Sequence, residues 1–237
     1  MLIENYLSVF YLLAIPVGIA PTLIWLFYYL RKDLHPEPRH MVLLTFLGGM
    51  ALAPLALLSE YGAMEVLARL PLAAHLRDIT LLFLASAFIE EFLKLSVVLF
   101  LVIHSKAFDE AIDGMIYLMI VALGFAAIEN VLVLGPLLGE SINEAALTVL
   151  LRFWGANLLH VLSSGILGYF FVTGLWSRGL ILATLFHGFF NGAIVLQSGV
   201  GVALLIFLLA GMTLLVSLFL RRLRSLSVLH PLPQVSS

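Results

Sequence analysis

Apolar residues in this chain run in long blocks, with polar positions gathered between them. The blocks cover roughly residues 8–30, 41–59, 78–103, 111–134, 148–173, 178–197 and 199–220. Crossing the hydrocarbon core of a bilayer takes about 20 residues of helix. Lipid-exposed backbone must also satisfy its hydrogen bonds within the segment. The pattern therefore predicts an all-α fold, a polytopic transmembrane helical bundle of about seven spans. Two blocks, "AIDGMIYLMIVALGFAAIENVLVL" and "LILATLFHGFFNGAIVL", carry polar residues in mid-run. The last two blocks lie so close together that a single re-entrant element is the alternative to two crossings.

Composition agrees. Only 11% of the 237 residues are charged and 62% are hydrophobic, where a soluble domain has roughly 25% charged residues. Residues 1–220 read as one membrane-embedded domain and 221–237 as a short, basic, mobile tail. The first block is too long for a signal-peptide core and has no cleavage site, so it is expected to stay. There is no cysteine, which excludes disulfides and thiolate metal sites. A net charge of −2 gives no nucleic-acid signal. Arg31, Lys32 and Arg39 follow the first block, and Arg221, Arg222 and Arg224 follow the seventh. Lys106 and Arg178 fall on the same side, and Arg69 and Arg77 fall opposite, with Arg152 near that edge. Cytoplasmic loops are enriched in Lys and Arg, so the N-terminus is expected outside and the C-terminus in the cytoplasm.

Against this apolar background, ionisable residues inside the blocks need a reason. The stretch "ASAFIEEFLKLSVVLFLVI" holds Glu90, Glu91 and Lys94. One charge at the bilayer centre costs about 2.5–3.5 kcal/mol on the insertion scale. The next three blocks add Glu129 with Asn130, Asn157 with His160, and His187 with Asn191. At about 1.5 Å per residue these groups share one slab, from mid-membrane toward the outer leaflet. Glu90 and Lys94, spaced i,i+4, are expected to pair, with Glu91 turned about 100° away. His187 and Asn191 project side by side. Gly188 and Gly192 form a GxxxG that allows close helix approach, and Ser164 and Gly168 do something similar beside His160.

Each of these has a purely structural reading. Glu90–Lys94 can hold a bundle together, His160 can be a bonded core residue, and His187 with Asn191 can bond backbone. Three glutamates and two histidines from four helices at one depth favour function. Asn130 and Asn157 read as supporting residues.

Carboxylates and histidines together can activate water, with a glutamate accepting its proton. A divalent metal held by His and Glu does the same. An Asn amide or a His N–H can stabilise an oxyanion. All parts of a peptide-hydrolysing site are present. There is no HExxH and no GxGD, and Asp33, Asp78, Asp109 and Asp113 lie at block edges or in loops. "LHVLSSGIL" lacks a Gly-x-Ser motif, which leaves Ser163 or Ser164 with His187 as the remaining serine option.

The motifs resemble a known family. "EEFLK" (Glu90–Lys94) matches an EExxK motif, and "DGMIYLMIVALGFAAIEN" (Asp113–Asn130) a DGxxY…GFAxxEN segment. "RFWGANLLHVLSSGILGY" (Arg152–Tyr169) is similar to an Arg-then-His helix, "HGFFN" (His187–Asn191) to HxxxN, and "RKDLHPEPRH" to a D-x-x-x-E-P loop. In this order they resemble the PrsW family of intramembrane proteases, over most of residues 31–191. The related CAAX prenyl endopeptidases and bacteriocin-processing proteins have FxxxH where Phe125–Glu129 reads FxxxE here. They also have an Arg one position beyond Lys94. Both departures argue against a prenyl-protein substrate.

The resemblance implies proteolysis in the bacterial cell membrane, with a membrane-anchored protein as substrate. In the founding member this is the first cut of an anti-sigma factor on its extracytoplasmic side. Carried over by motif, Glu90, Glu91, Glu129, His160 and His187 are the functional positions. The resemblance also favours a divalent metal, zinc, with Glu129, His160 and His187 as ligands. In the expected roles, Glu91 and Glu129 with His160 activate water, directly or through the metal. His187 and Asn191 hold the metal or the oxyanion, and Glu90 pairs with Lys94; exchanging Glu90 and Glu91 is the alternative. The rival functions are a proton- or cation-coupled transporter and a non-catalytic scaffold for a membrane partner. Against the transporter, the ionisable blocks run consecutively, with no inverted repeat.

Overall fold

A computed structural model describes the backbone of residues 2–33, 35–80, 85–196 and 198–229. Nine helices follow one another among them: α1 (Leu2–Leu30), α2 (Arg39–Ala68), α3 (Ala74–Thr80), α4 (Ala87–Leu101), α5 (Asp113–Glu140), α6 (Ile142–Trp154), α7 (Ala156–Val172), α8 (Trp176–Val195) and α9 (Gly199–Leu229). No strand occurs among the described residues. Pro16, Pro21, Pro54 and Pro136 lie inside helices, as membrane bundles tolerate.

Six stretches are long and apolar enough to cross a membrane: α1, α2, α5, α6 with α7, α8 and α9. The third expected block, 78–103, is the one that differs. It is divided into the short α3, residues 81–84 outside the described set, a π-type turn at Ala85–Ser86, and the 15-residue α4. Three charged residues in α4 lower its apolarity, and 15 residues reach only about 22 Å. The chain still traverses here. Ser105, just past α4, meets Met41 at the start of α2, and the loop beyond it meets the connection between α1 and α2 through His35 and Glu110.

One end of the bundle therefore gathers the end of α1 and the starts of α2 and α5. The end of α7 joins them, where a Cβ on Gly114 would lie 2.2 Å from Val172. Arg222 near the end of α9 sits 6.0 Å from the Tyr169 ring, so the same end holds the basic segment. That segment continues α9 as helix to Leu229, with Leu223 buried. The part of the expected mobile tail at 230–237 lies outside the described residues. α8 and α9 are separate long helices of 20 and 31 residues.

α5 is the hub. It is buried along nearly its whole length, and α1, α2, α4, α6 and α7 pack around it. Two glycines let α2 touch it: a Cβ on Gly49 would lie 2.0 Å from the Val121 carbonyl oxygen, and one on Gly124 would lie 2.0 Å from that of Phe46. The exposed large side chains, such as Leu58 on α2 and Phe207 on α9, face outward where lipid would lie. α6 starts at a Ser141 cap, whose hydroxyl accepts from the Glu144 amide. It ends at Gly155, where a Cβ would crowd the Leu151 carbonyl oxygen at 2.7 Å, and α7 begins.

Candidate active site

The ionisable side chains of α4, α5, α7 and α8 meet in the bundle. Counted from the basic end at about 1.5 Å per residue, Glu90 and His187 stand about 17 Å up, His160 about 18 Å and Glu129 about 24 Å. Antiparallel packing of α7 and α8 brings the histidine rings edge to face, with centroids 5.0 Å apart.

Lys94 is fully buried at the middle of the cluster. Its ammonium donates to Glu91 at 2.8 Å and to Glu90 at 3.4 Å, and lies 2.9 Å from His160 Nδ1. The expected Glu90–Lys94 pair thus exists, but Glu91, one turn away at i,i+3, is the nearer partner. The sequence spacing allows both contacts. Lys94 also lies 4.6 Å from the Phe125 ring centroid.

The three glutamates differ in how they are engaged. Glu91 is fully buried and saturated: its Oε1 accepts from Lys94, from Ser163 at 3.1 Å and from His187 Nδ1 at 2.9 Å, and its Oε2 accepts from Ser164 at 3.3 Å. Both serine hydroxyls are therefore tied to a carboxylate. Glu90 accepts from Ser86 at 3.3 Å, makes the long Lys94 contact and also meets the Glu60 side chain of α2. Its Oε2 faces both histidines, 3.8 Å from His160 Nδ1 and 3.9 Å from His187 Nε2. Glu129 contacts His160 Nε2 at 2.8 Å and Arg152 at 3.0 Å, and its side chain is 33% exposed, the open edge of an otherwise sealed cluster.

Donor atoms of Glu90, His160 and His187 lie within 4.8 Å of one another, close enough to share one metal ion. In the expected ligand set Glu129 stood in the place of Glu90. The structure puts Glu129 on the other nitrogen of His160 instead, because it sits about a turn higher on α5. Each histidine thus has one nitrogen held by a carboxylate and the other turned toward Glu90. Outer carboxylates commonly fix metal-binding histidines in this way. These residues fit a divalent ion such as zinc by donor type. The Nδ1 of His160 that would serve it is the nitrogen next to Lys94.

The supporting asparagines go to different places. Asn130 donates to the Gly18 carbonyl of α1 at 2.9 Å and accepts from Arg152. Asn157 is fully buried, and neither polar atom of its side chain has a hydrogen-bond partner among the described residues. Asn191 is half-buried, and no hydrogen bond ties its side chain to the cluster among the described residues. Gly188 is buried, whereas Gly192 lines an apolar groove of about 630 Å³ between α8 and α9.

Two features escaped the sequence reading. Arg152 was read from its charge and from the Arg-then-His motif but given no role at the site, yet it lies 3.0 Å from Glu129 and donates to Asn130. A second buried polar group lies at the basic end, where the oxygens of Asp33, Glu37 and Asp113 come within 4.8 Å of one another. Tyr117 donates to Glu37 there. Burial pushes the Glu37 carboxyl up to about 9, and Asp113 beside it adds to the shift. The D-x-x-x-E-P and DGxxY motifs were the signal.

Residues 37–219 match the PrsW family intramembrane metalloprotease profile. The chain is 31% identical to Protease PrsW of Geobacillus kaustophilus over 208 residues, 83% of this chain and 86% of that one. It is also 31% identical to Protease PrsW of Bacillus subtilis over 188 residues, 75% and 80% of the two chains. No solved structure matches it. Matched over this length, and with these carboxylates and histidines brought together, the chain belongs to the PrsW family of intramembrane metalloproteases.

Proposed function

We propose that this protein cleaves a membrane-anchored protein inside the bilayer, at a site where Glu90, His160 and His187 hold a zinc ion. The observation that carries the ligand assignment is the paired arrangement around the histidines. Glu91 holds His187 Nδ1 and Glu129 holds His160 Nε2, and the remaining nitrogens converge on Glu90 Oε2. When bound, such an ion polarises a carbonyl and makes water a nucleophile at neutral pH.

The chain's own residues take the other roles. Glu129 is the carboxylate at the open edge, so it receives the proton of the incoming water. Arg152 fixes the angle of its carboxylate. Glu91 is a positioning residue: it orients His187 and balances Lys94, and its oxygens are already engaged. Asn191, one turn from His187 on α8, has no hydrogen bond to the cluster among the described residues and donates to the developing oxyanion. This assignment gives Glu90 the ligand place expected of Glu129, leaves Glu129 to act on water and makes Glu91 the nearer partner of Lys94.

The basic end is proposed to be cytoplasmic, since Arg31, Lys32, Arg39, Lys106, Arg178 and the arginines at the end of α9 all collect there. Glu129 then opens toward the outer leaflet of a bacterial cell membrane, which suits a first cut on the extracytoplasmic side of an anti-sigma factor. Purified protein in lipid vesicles should cleave at least one of a panel of single-span reporter proteins. Chelation should stop the reaction and added zinc should restore it. Ion flux without cleavage would replace this reading with a transporter.

A further inference from the structure

Asn157 stands out among the buried polar side chains. It is 0% exposed. Its amide nitrogen and its oxygen both lack a hydrogen-bond partner among the described residues. A buried polar group left unpaired is costly, and native structures keep few of them without a reason. Replacing the side chain by an apolar one of similar size would remove that cost, so something other than packing retains the amide.

Its position supplies the reason. Asn157, His160 and Ser164 lie at i, i+3 and i+7 on α7 and share one face. On that face His160 meets Glu90, Lys94 and Glu129, and Ser164 meets Glu91. Asn157 stands one turn from His160, toward the break at Gly155 where α6 gives way to α7. A Cβ at Gly155 would lie 3.4 Å from Phe190 of α8, so this turn of α7 lies against the helix that carries His187.

We infer that Asn157 is a substrate-binding residue whose carboxamide pairs with a peptide group of the substrate next to the scissile bond. The inference rests on the protease reading above. A membrane-spanning helix must unwind to be cut, and unwinding frees backbone N–H and C=O groups that hydrocarbon cannot satisfy. Asn157 offers one donor and one acceptor, the complement of an extended peptide edge. Its nitrogen donates to a substrate carbonyl and its oxygen accepts from a substrate N–H. The ligand class is therefore an unwound stretch of backbone, recognised without regard to its side chains. Because the amide is sealed in the free protein, the helices packed around it must part for the substrate to reach it.

The test compares wild-type protein with Asn157→Leu and Asn157→Gln in lipid vesicles. It uses a cleaved single-span reporter and versions of it with single backbone esters near the cut. Asn157→Leu should keep or raise the unfolding temperature, because it removes an unpaired amide. It should lower kcat/KM at least tenfold, and Asn157→Gln should recover part of that loss. One ester position should cost wild type several-fold and cost Asn157→Leu nothing further, the signature of a shared contact. An unfolding temperature lowered by several degrees in Asn157→Leu would mean the amide is structurally bonded and would overturn the inference. Unchanged kcat/KM would do the same. If wild type leaves every reporter intact, the protease reading falls first, and equilibrium binding of the uncut reporter then decides. Weaker binding by Asn157→Leu supports the inference, and equal binding overturns it.

Discussion

Glu91 of α4 and His187 of α8 meet at 2.9 Å although 96 residues separate them in the chain. The contact is buried on both sides, and Lys94 and two serines crowd the same carboxylate. A carboxylate so fully engaged positions its neighbours. Breaking a buried ion pair by removing one partner costs about 3–5 kcal/mol. Glu91→Gln should therefore lose folding stability first, read as a lower unfolding temperature and poor recovery from the membrane. Glu90→Gln should fold and lose at least ~10²-fold in cleavage rate. A stable, inactive Glu91→Gln beside an active Glu90→Gln would reverse the two roles.

Arg152 is expected to act through Glu129. It touches Glu129 at 3.0 Å and also binds Asn130, which reaches α1 at Gly18. Loss of an outer partner of this kind costs about 10–100-fold in activity or metal affinity. Arg152→Met should show a loss of that size in kcat with near-normal folding. Arg152→Lys should recover little, because a lysine cannot reproduce the forked contact. Wild-type kcat in Arg152→Met would remove Arg152 from the site.

Much of this site could be read from the sequence, because charge in an apolar block is conspicuous. Glu90, Glu91, Glu129, His160 and His187 were all visible as ionisable residues at one depth. Which carboxylate joins the histidines was not, since depth says nothing about rotation about the helix axis. Lys94 is i,i+4 from Glu90 and i,i+3 from Glu91, and sequence spacing gives both pairings equal standing. Hydropathy outlined about seven spans; six correspond to helices long and apolar enough to cross, and the 78–103 block holds the short α3 and the 15-residue α4. The group around Glu37 stayed hidden because its members come from a loop and from the start of α5. Only the fold brings them together.

At Glu37 the fold makes a pH prediction. The carboxyl titrates at about 9 in the folded protein, against 4.5 for an unperturbed glutamate. Between these values the folded chain holds a proton that the unfolded chain has lost. Stability from this group is therefore fully present below about pH 4.5 and is lost as pH rises through about 9. The neighbouring carboxylates of Asp113 and Asp33 add to the shift of Glu37, and the hydroxyl donated by Tyr117 opposes it. Glu37→Gln should flatten the decline in unfolding temperature between pH 5 and pH 9, as followed by thermal melts in detergent. An identical decline in the variant would rule Glu37 out as its source.

The crossing of α2 over α5 is equally exposed to test. A Cβ at Gly124 would stand 2.0 Å from a backbone oxygen of α2. Gly124→Ala must push the helices apart, and Glu129 lies on α5 little more than one turn further on. A misplacement of about 1 Å can cost ~10²-fold in rate, so the variant should be folded and weakly active. Full activity would show that α2 yields without disturbing α5.

The central claim is that Glu90, His160 and His187 hold a catalytic metal ion. Elemental analysis of purified protein and of single variants tests it most directly. Wild type and Glu129→Gln should each carry near-stoichiometric zinc, and Glu90→Gln, His160→Ala and His187→Ala should each lose it. Zinc retained by Glu90→Gln but lost from Glu129→Gln would contradict the ligand assignment, and metal-free wild type that cleaves at full rate would contradict the metal site itself.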